Sequence, residues 1–240
     1  MLMKFAFLML LAVMVFTLPG PFIKPSHAEI EAIHAPVVVE LFTSQSCSSC
    51  PAADSLLQQL AENPNVIALS CHVTYWNHLS WQDTFSQEWC TRRQQEYASS
   101  GGRRGVFTPE IIINGASSMV GSNWQAVSAG LGAAAPIGII GLQSHGDQLH
   151  ISLPELTTTM PLSVLLVTYG APATQHIQSG ENGGRTLSTH NPALAIRELV
   201  SSWNGERRNI TLPREPGMGY AVLAQLPAGP VAAAGKLEPQ

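Results

Sequence analysis

Two cysteines, Cys47-Ser48-Ser49-Cys50, stand at the junction of an apolar run and an apolar-periodic segment, and this junction constrains the fold more than any other stretch. Val37 to Phe42 is β-branched and almost continuously apolar, as a buried strand is. Ala52 to Leu60 follows, with Leu56, Leu57 and Leu60 on one helical face. The pattern predicts strand, turn and helix, with both thiols at the turn. Cys47 is then expected at the helix N-terminus, where unpaired N–H groups and the macrodipole favour an anion. A thiolate stabilised there is a nucleophile at neutral pH. Cys50, one turn later, is placed to resolve a mixed disulfide formed at Cys47. Pro51 fits the first turn, where its missing N–H has no partner to lose. Other uses of such a pair are half a zinc site or a structural disulfide. A zinc site needs a second pair at similar spacing, and the remaining two cysteines do not provide one.

Residues 1–28 read as a secretory signal peptide. Lys4 precedes an apolar run from Phe5 to Leu18, and Ser26-His27-Ala28 supplies small residues for cleavage. The mature chain, 29–240, is long enough for one large domain or two small ones. A periplasmic or secreted location follows, and such a compartment permits disulfides. No later stretch is long enough to span a membrane. Removing the leader takes away Lys4 and Lys24, leaving a mildly acidic chain. With 12% charged residues, it gives no reason to expect nucleic acid or an anionic membrane surface as partner.

Beyond the first helix, Asn63-Pro64-Asn65 is a stop, and Val66 to Val73 is a second buried strand. Strand, helix and strand over this length imply a parallel pair. A polar but aromatic-rich segment, Thr74 to Asp83, leads to a predicted helix over Thr84–Ala98, with Thr84 and Gln87 at capping-box spacing. After the break Ser99–Gly105, Pro109 opens a strand, Ile111–Ile113, that ends in an Asn114-Gly115 hairpin turn. Ala116–Val120 is its antiparallel partner. Ser122 and Gln125 again have capping-box spacing, before a last helix running to about Leu131.

This order, with Cys47-Ser-Ser-Cys50 after the first strand and Thr108-Pro109 before a later one, resembles the thioredoxin fold. The resemblance implies a cis Thr108–Pro109 bond beside Cys47, with Thr108 and Pro109 positioning a substrate backbone. The chain departs from ordinary thioredoxins in carrying Ser46 in place of Trp before the first cysteine, and Ser48-Ser49 between the two. The segments VVVELFTSQ-CSSCP-AD, HV-YW, TP--I-NG and GENGGRTL resemble a family of uncharacterised secreted proteins of Gram-negative bacteria, a domain of unknown function with a thioredoxin-like fold.

From Ala134 the pattern changes to short apolar runs separated by turn signals: Ile137–Leu142, Leu149–Leu153, Leu162–Tyr169, Thr174–Gln178, Asn209–Leu212, Tyr220–Gln225 and Val231–Gly235. Pro192–Trp203 reads as helix or strand. The expected architecture is an α/β thioredoxin-like domain over 29–133, with an aromatic-rich helical insertion, followed by a smaller all-β, sandwich-like domain over 134–240. The glycine-rich segment Gly180–His190 reads as a hairpin loop, with a partner contact as the alternative.

Cys71 and Cys90 form a candidate structural disulfide, with two buried free thiols as the other reading. His72 has three readings: an acid–base partner of Cys47, a metal ligand beside both thiols, or a hydrogen-bonded core residue. Tyr75, Trp76 and Trp81 line a peptide groove or cover the sheet edge. Arg103 and Arg104 are solvated, or raise the local potential around a thiolate.

Three functions stay open. The first is an exported thiol–disulfide oxidoreductase, with Cys47 and Cys50 as catalytic residues, no organic cofactor, and protein thiols, disulfides or a redox protein as partners. The second is a copper-binding protein using Cys47, Cys50 and His72. The third is a binding module with a locked structural disulfide.

Overall fold

The computed structural model describes residues 36–240, so the expected signal peptide, 1–28, lies outside the described residues. The elements begin with β1 (Val37–Thr43), α1 (Pro51–Ala61), β2 (Val66–His72), α2 (Glu88–Ser100), β3 (Glu110–Ile113), β4 (Ser117–Val120) and α3 (Trp124–Ala133). Strands alone follow: β5 (Gly138–Ile139), β6 (Gly141–His145), β7 (Gln148–Leu153), β8 (Leu162–Tyr169), β9 (Ala173–His176) and β10 (Thr186–Thr189). The last four are β11 (Ala193–Trp203), β12 (Arg208–Pro213), β13 (Gly219–Gln225) and β14 (Val231–Leu237).

The first sheet has the order β2-β1-β3-β4. β1 and β2 run parallel, with Thr43 opposite His72, and β3 is antiparallel to β1, with Phe42 opposite Glu110. The two faces of β1 meet different neighbours. Val37, Val39 and Leu41 pack with Leu56, Leu57 and Leu60 of α1 and Val127 of α3. Val38 and Phe42 pack on the opposite side with Cys90 and Tyr97 of α2. Both faces are therefore apolar, which is why β1 reads as a continuous run rather than an alternation. The Asn114-Gly115 turn joins β3 to β4, with φ of 46° and 64° at the two residues. Both are left-handed, as a type I′ hairpin turn requires.

A five-stranded sheet, β11-β8-β13-β14-β5, lies next to the first. Val167, Tyr169, Ala221, Leu223 and Ala234 from it share one buried cluster with Val38, Phe42, Ile67, Leu69 and Ile112. Its other face, through Val164, Leu166, Tyr220, Val222 and Ala233, packs on Leu149, Ile151 and Leu153 of the three-stranded sheet β12-β7-β6.

This corrects the expected fold class. The chain is mostly β, with 40% of its described residues in strands, three short helices and several sheets, rather than an α/β thioredoxin-like domain followed by a smaller all-β domain. The physical reason lies in β13. In a free-standing sandwich the outward residues of each strand are polar, whereas all seven residues from Gly219 to Gln225 are buried. The five-stranded sheet is a central layer, apolar on both faces, and the first sheet covers one of them.

Two helix starts also differ from expectation. α2 begins at Glu88 rather than Thr84, because the Asp83 carboxylate accepts the Phe85 N–H and the His72 carbonyl accepts the Gln87 N–H, holding residues 84–87 outside the helix. In α3 the cap is Asn123, whose side chain accepts the Ala126 N–H, rather than Ser122. Pro192–Trp203, open between helix and strand, is strand β11 from Ala193.

A buried polar group spans the first two sheets. Arg93 of α2 donates to both carboxylate oxygens of Glu40, to Tyr97 Oη at 2.7 Å and to Gln225 Oε1 at 2.7 Å. Tyr97 Oη also donates to Glu40 Oε2 at 2.7 Å. β1, α2 and β13 are thus joined through one guanidinium.

Candidate functional site

Cys47 and Cys50 are joined by a disulfide at the C-terminal end of β1. Their placement differs from expectation by one turn. Cys50 is the N-cap of α1 and Pro51 is its first residue, while Cys47 lies in the turn before the helix. That turn is closed by the Cys47 N–H bonding to the Ser44 carbonyl at 3.1 Å and the Cys50 N–H to the Cys47 carbonyl at 3.2 Å. Ser48 and Ser49 are exposed, yet Cys47 and Cys50 are only 1% and 0% exposed. Ser49 Oγ lies 3.3 Å from Cys47 Sγ.

Two segments close over the turn. From the aromatic loop, Ser46 Oγ donates to the Trp81 carbonyl at 2.7 Å, and Trp81 Nε1 donates to Gln45 Oε1 at 3.0 Å. From the glycine-rich segment, Asn182 Nδ2 donates to the carbonyls of Gln45 and Cys47, each at 2.9 Å. Glu181 Oε2 accepts the Ser48 N–H at 3.1 Å. Asn182 is itself 0% exposed. The segment is therefore more than a hairpin loop: it contacts the cysteine turn from more than 130 residues away.

Beneath the turn lies a cluster of ionisable groups. Thr43 shares the α1-facing side of β1 with Val39 and Leu41, and His72 pairs with it in register. His72 Nδ1 lies 2.7 Å from Asp83 Oδ2, and its Nε2 is buried with no partner among the described residues. Asp83 also accepts the Gln45 N–H at 2.7 Å. Asp54 accepts from Thr43 Oγ1 at 2.9 Å, four residues after Cys50 and so on the same helical face. Burial pushes the Asp54 carboxyl up to about 6, with His72 and the Thr43 bond pulling only partly the other way. Burial alone lowers His72, but the Asp83 and Asp54 carboxylates outweigh it and raise its pKa. The same pairing overcomes burial at Asp83 and lowers its pKa. The cluster holds exchangeable protons at the strand ends that carry the disulfide, where reduction to two thiols requires proton uptake.

The Thr108–Pro109 bond is cis, and Pro109 precedes the Phe42–Glu110 pair, placing it at the same end of the sheet as the cysteine turn. Trp76 Nε1 donates to Thr108 Oγ1 at 2.7 Å. Tyr75 and Trp76 are half-buried against the core, so they cover the sheet edge, while Trp81 lies over Gln45. Arg103 pairs with the buried Glu110 at 2.7 Å and lies over the Phe107 ring, whereas Arg104 is exposed.

Cys71 faces away from His72 and is bonded to Cys90, tying β2 to α2. For the copper alternative, the Cys47 and Cys50 sulfurs are engaged with each other and His72 Nδ1 with Asp83. Among the described residues no group of three or more His, Cys, Asp or Glu side chains is arranged to hold a metal ion.

Sequence reasoning missed Asp54, Asp83, Glu181 and Asn182 as parts of this site. Asp54 was within reach, since i+4 from Cys50 marks the same helical face. Asp83 is recognised only through its pairing with His72, and Glu181 and Asn182 only through partners more than 130 residues away.

Residues 38–225 match the model of a family described as "Protein of unknown function (DUF1223)". No curated protein matches the chain. Among solved structures, the crystal structure of a protein from Agrobacterium tumefaciens is 28% identical, with a TM-score of 0.75, over 86% of this chain and 96% of that one. HBP35 of Porphyromonas gingivalis is 14% identical with a TM-score of 0.57, over 86% of this chain and 77% of that one, a likeness of fold alone.

Proposed function

This chain belongs to the DUF1223 family of proteins of unknown function, and we propose that it is an exported thiol–disulfide oxidoreductase acting through Cys47 and Cys50. The observation that carries this reading is a disulfide closing a four-residue turn at the N-cap of a helix, above buried ionisable groups. The two disulfides are compatible with a secreted protein, and a periplasmic or extracellular location would keep such bonds available.

In the reduced protein the Cys47 thiolate attacks one sulfur of a substrate disulfide. The substrate bond breaks, its other sulfur leaves as a thiolate and takes a proton, and Cys47 is left in a mixed disulfide. The Cys50 thiolate then attacks Cys47 Sγ. The Cys47–Cys50 bond forms, the second substrate thiol is released, and two electrons have passed to the substrate. The reverse sequence oxidises a substrate dithiol. Thr108 and Pro109 are assigned to hold the substrate backbone, and His72, Asp83 and Asp54 to buffer the protons. The partners are protein thiols or disulfides, and no organic cofactor takes part.

The test is the redox equilibrium of the mature protein against a glutathione series, with a Cys50→Ser variant to trap partners. A reversible two-electron transition with a mixed disulfide at Cys47 is the expected result. A bond that stays intact at very reducing potentials, with nothing trapped, would sink the reading. The burial of both sulfurs favours a second reading, a locked structural disulfide in a binding module, and that outcome would select it.

A further inference from the structure

The proposed exchange chemistry meets an obstacle in the described state. A thiolate must reach a sulfur to attack it, and neither sulfur of the Cys47–Cys50 bond has appreciable exposure. The segment that follows β9 bears directly on this. Ser179 Oγ donates to the Ser80 carbonyl at 2.8 Å, so the segment is tied to the aromatic loop as well as to the cysteine turn. Asn182 spans the turn, with its single amide nitrogen bridging the carbonyls that flank Ser46. Its Oδ1 accepts from Arg185 Nη1 at 2.7 Å, which orients the amide. Glu181 adds one bond to the Ser48 N–H, the backbone donor between the two cysteines.

These contacts differ in kind from a packed core. They are polar, they run from one short segment to another, and the segment carries glycines at 180, 183 and 184, two of them at φ of 80°. Gly183 and Gly184 bond back to Gly180 and Ile177 at 3.0 and 2.8 Å, so the loop is closed on itself. Each hydrogen bond contributes modestly on balance, because water replaces it when it opens. Opening therefore breaks a few exchangeable bonds and exposes little apolar surface.

We propose that residues 179–185 form a latch, fastened by Asn182 and Glu181, that holds the Cys47–Cys50 disulfide closed and must lift before a thiol can reach it. The inference rests on the exchange reading for its purpose, but not for its test. The latch places control of the first-half disulfide in the second half of the chain. A partner that engages the glycine-rich segment would expose the sulfurs.

The experiment is the rate at which tris(2-carboxyethyl)phosphine reduces the oxidised full chain, read by alkylation and mass mapping of each cysteine. The phosphine attacks a sulfur, the S–S bond breaks, and water converts the adduct to phosphine oxide and two thiols. Asn182→Ala should speed reduction of Cys47–Cys50 by about tenfold or more, and Glu181→Ala, which removes the acceptor of the Ser48 N–H, by about threefold. The Cys71–Cys90 rate should stay at the wild-type value in both. Acceleration of both disulfides in Asn182→Ala would report lost folding, and Glu181→Ala, altered at an exposed side chain, then decides alone. Rates for Cys47–Cys50 within twofold of wild type in the deciding variant overturn the latch. The glutathione equilibrium fails separately: a faster phosphine reaction with no reversible glutathione transition retains the latch and removes the oxidoreductase reading.

Discussion

His72 Nδ1 and Asp83 Oδ2 lie 2.7 Å apart with both side chains almost wholly buried. Asp83 is the last residue of the aromatic loop and His72 the last of β2, so the pair pins the loop to the sheet end beneath the disulfide. Removing one member of a buried ion pair leaves the other uncompensated. Asp83→Asn should therefore destabilise the protein by about 3–5 kcal/mol in urea denaturation near pH 5. A loss under about 1 kcal/mol would show that the pair is not ionised in the folded protein.

The pH dependence of that loss has a definite sign. His72 is raised above its ordinary 6.5, so its contribution is full below that value and disappears as pH rises through the folded pKa. Asp83 is lowered below its ordinary 3.8, so its contribution is full above that value and disappears as pH falls through the folded pKa. The difference between wild type and Asp83→Asn should peak between these two ordinary values and shrink on either side. Denaturation midpoints measured from pH 3 to 9 check the shape, and a difference independent of pH would count against the ionised pair.

Asp54 behaves in the opposite sense to Asp83. Its carboxyl is raised from 3.8 to about 6, so the folded protein holds the proton more tightly than the unfolded chain. Stability should fall as pH rises across that window. Asp54→Asn keeps an oxygen for the Thr43 hydroxyl and removes the charge. It should be more stable than wild type at pH 7 by at most about 3 kcal/mol, with the gain gone at pH 4. Paired urea titrations at the two pH values make the comparison.

Glu40 and Arg93 form the second buried pair, shared with Tyr97 and Gln225. Arg93→Ala strands the Glu40 carboxylate between two sheets and should cost about 3–5 kcal/mol. Adding Glu40→Gln should recover part of that loss, since the charge left behind is gone. The readout is a double-mutant cycle, and simple additivity of the two changes would refute the coupling.

Cys71 and Cys90 close a loop with a sequence separation of 19 and join β2 to α2. Replacing both by alanine should lower stability by about 3 kcal/mol through the freed unfolded chain. The Cys47–Cys50 pair should keep its glutathione midpoint, because Cys71 faces the opposite side of the first sheet from Thr43 and His72. A shifted midpoint would mean that the two disulfides are coupled.

Local readings succeeded where the deciding forces are local. The strand and helix around Cys47 follow from apolar periodicity, and the Asn114-Gly115 turn from the ease with which these two residues take positive φ. Helix starts misled where a distant group intervened. Thr84 and Gln87 have the right spacing for a cap, but Asp83 and His72 take the backbone N–H groups of Phe85 and Gln87 first. The site was legible in part: the two cysteines and His72 stand out by type. Asn182 does not, because one asparagine in a glycine-rich loop has no local signature of the turn it fastens.

The amino-acid sequence alone determined the strand–turn–helix at Cys47, the parallel β1–β2 pair and the residues available for thiol chemistry, since periodicity and residue type act over a few positions. Only the tertiary structure decided that the five-stranded sheet is a central layer, because burial of both faces of β13 depends on what packs there. It also decided that the Cys47–Cys50 bond is covered. Hydrogen bonds spanning more than 130 residues join the cysteine turn to the glycine-rich segment, and chain folding alone brings their donors and acceptors together.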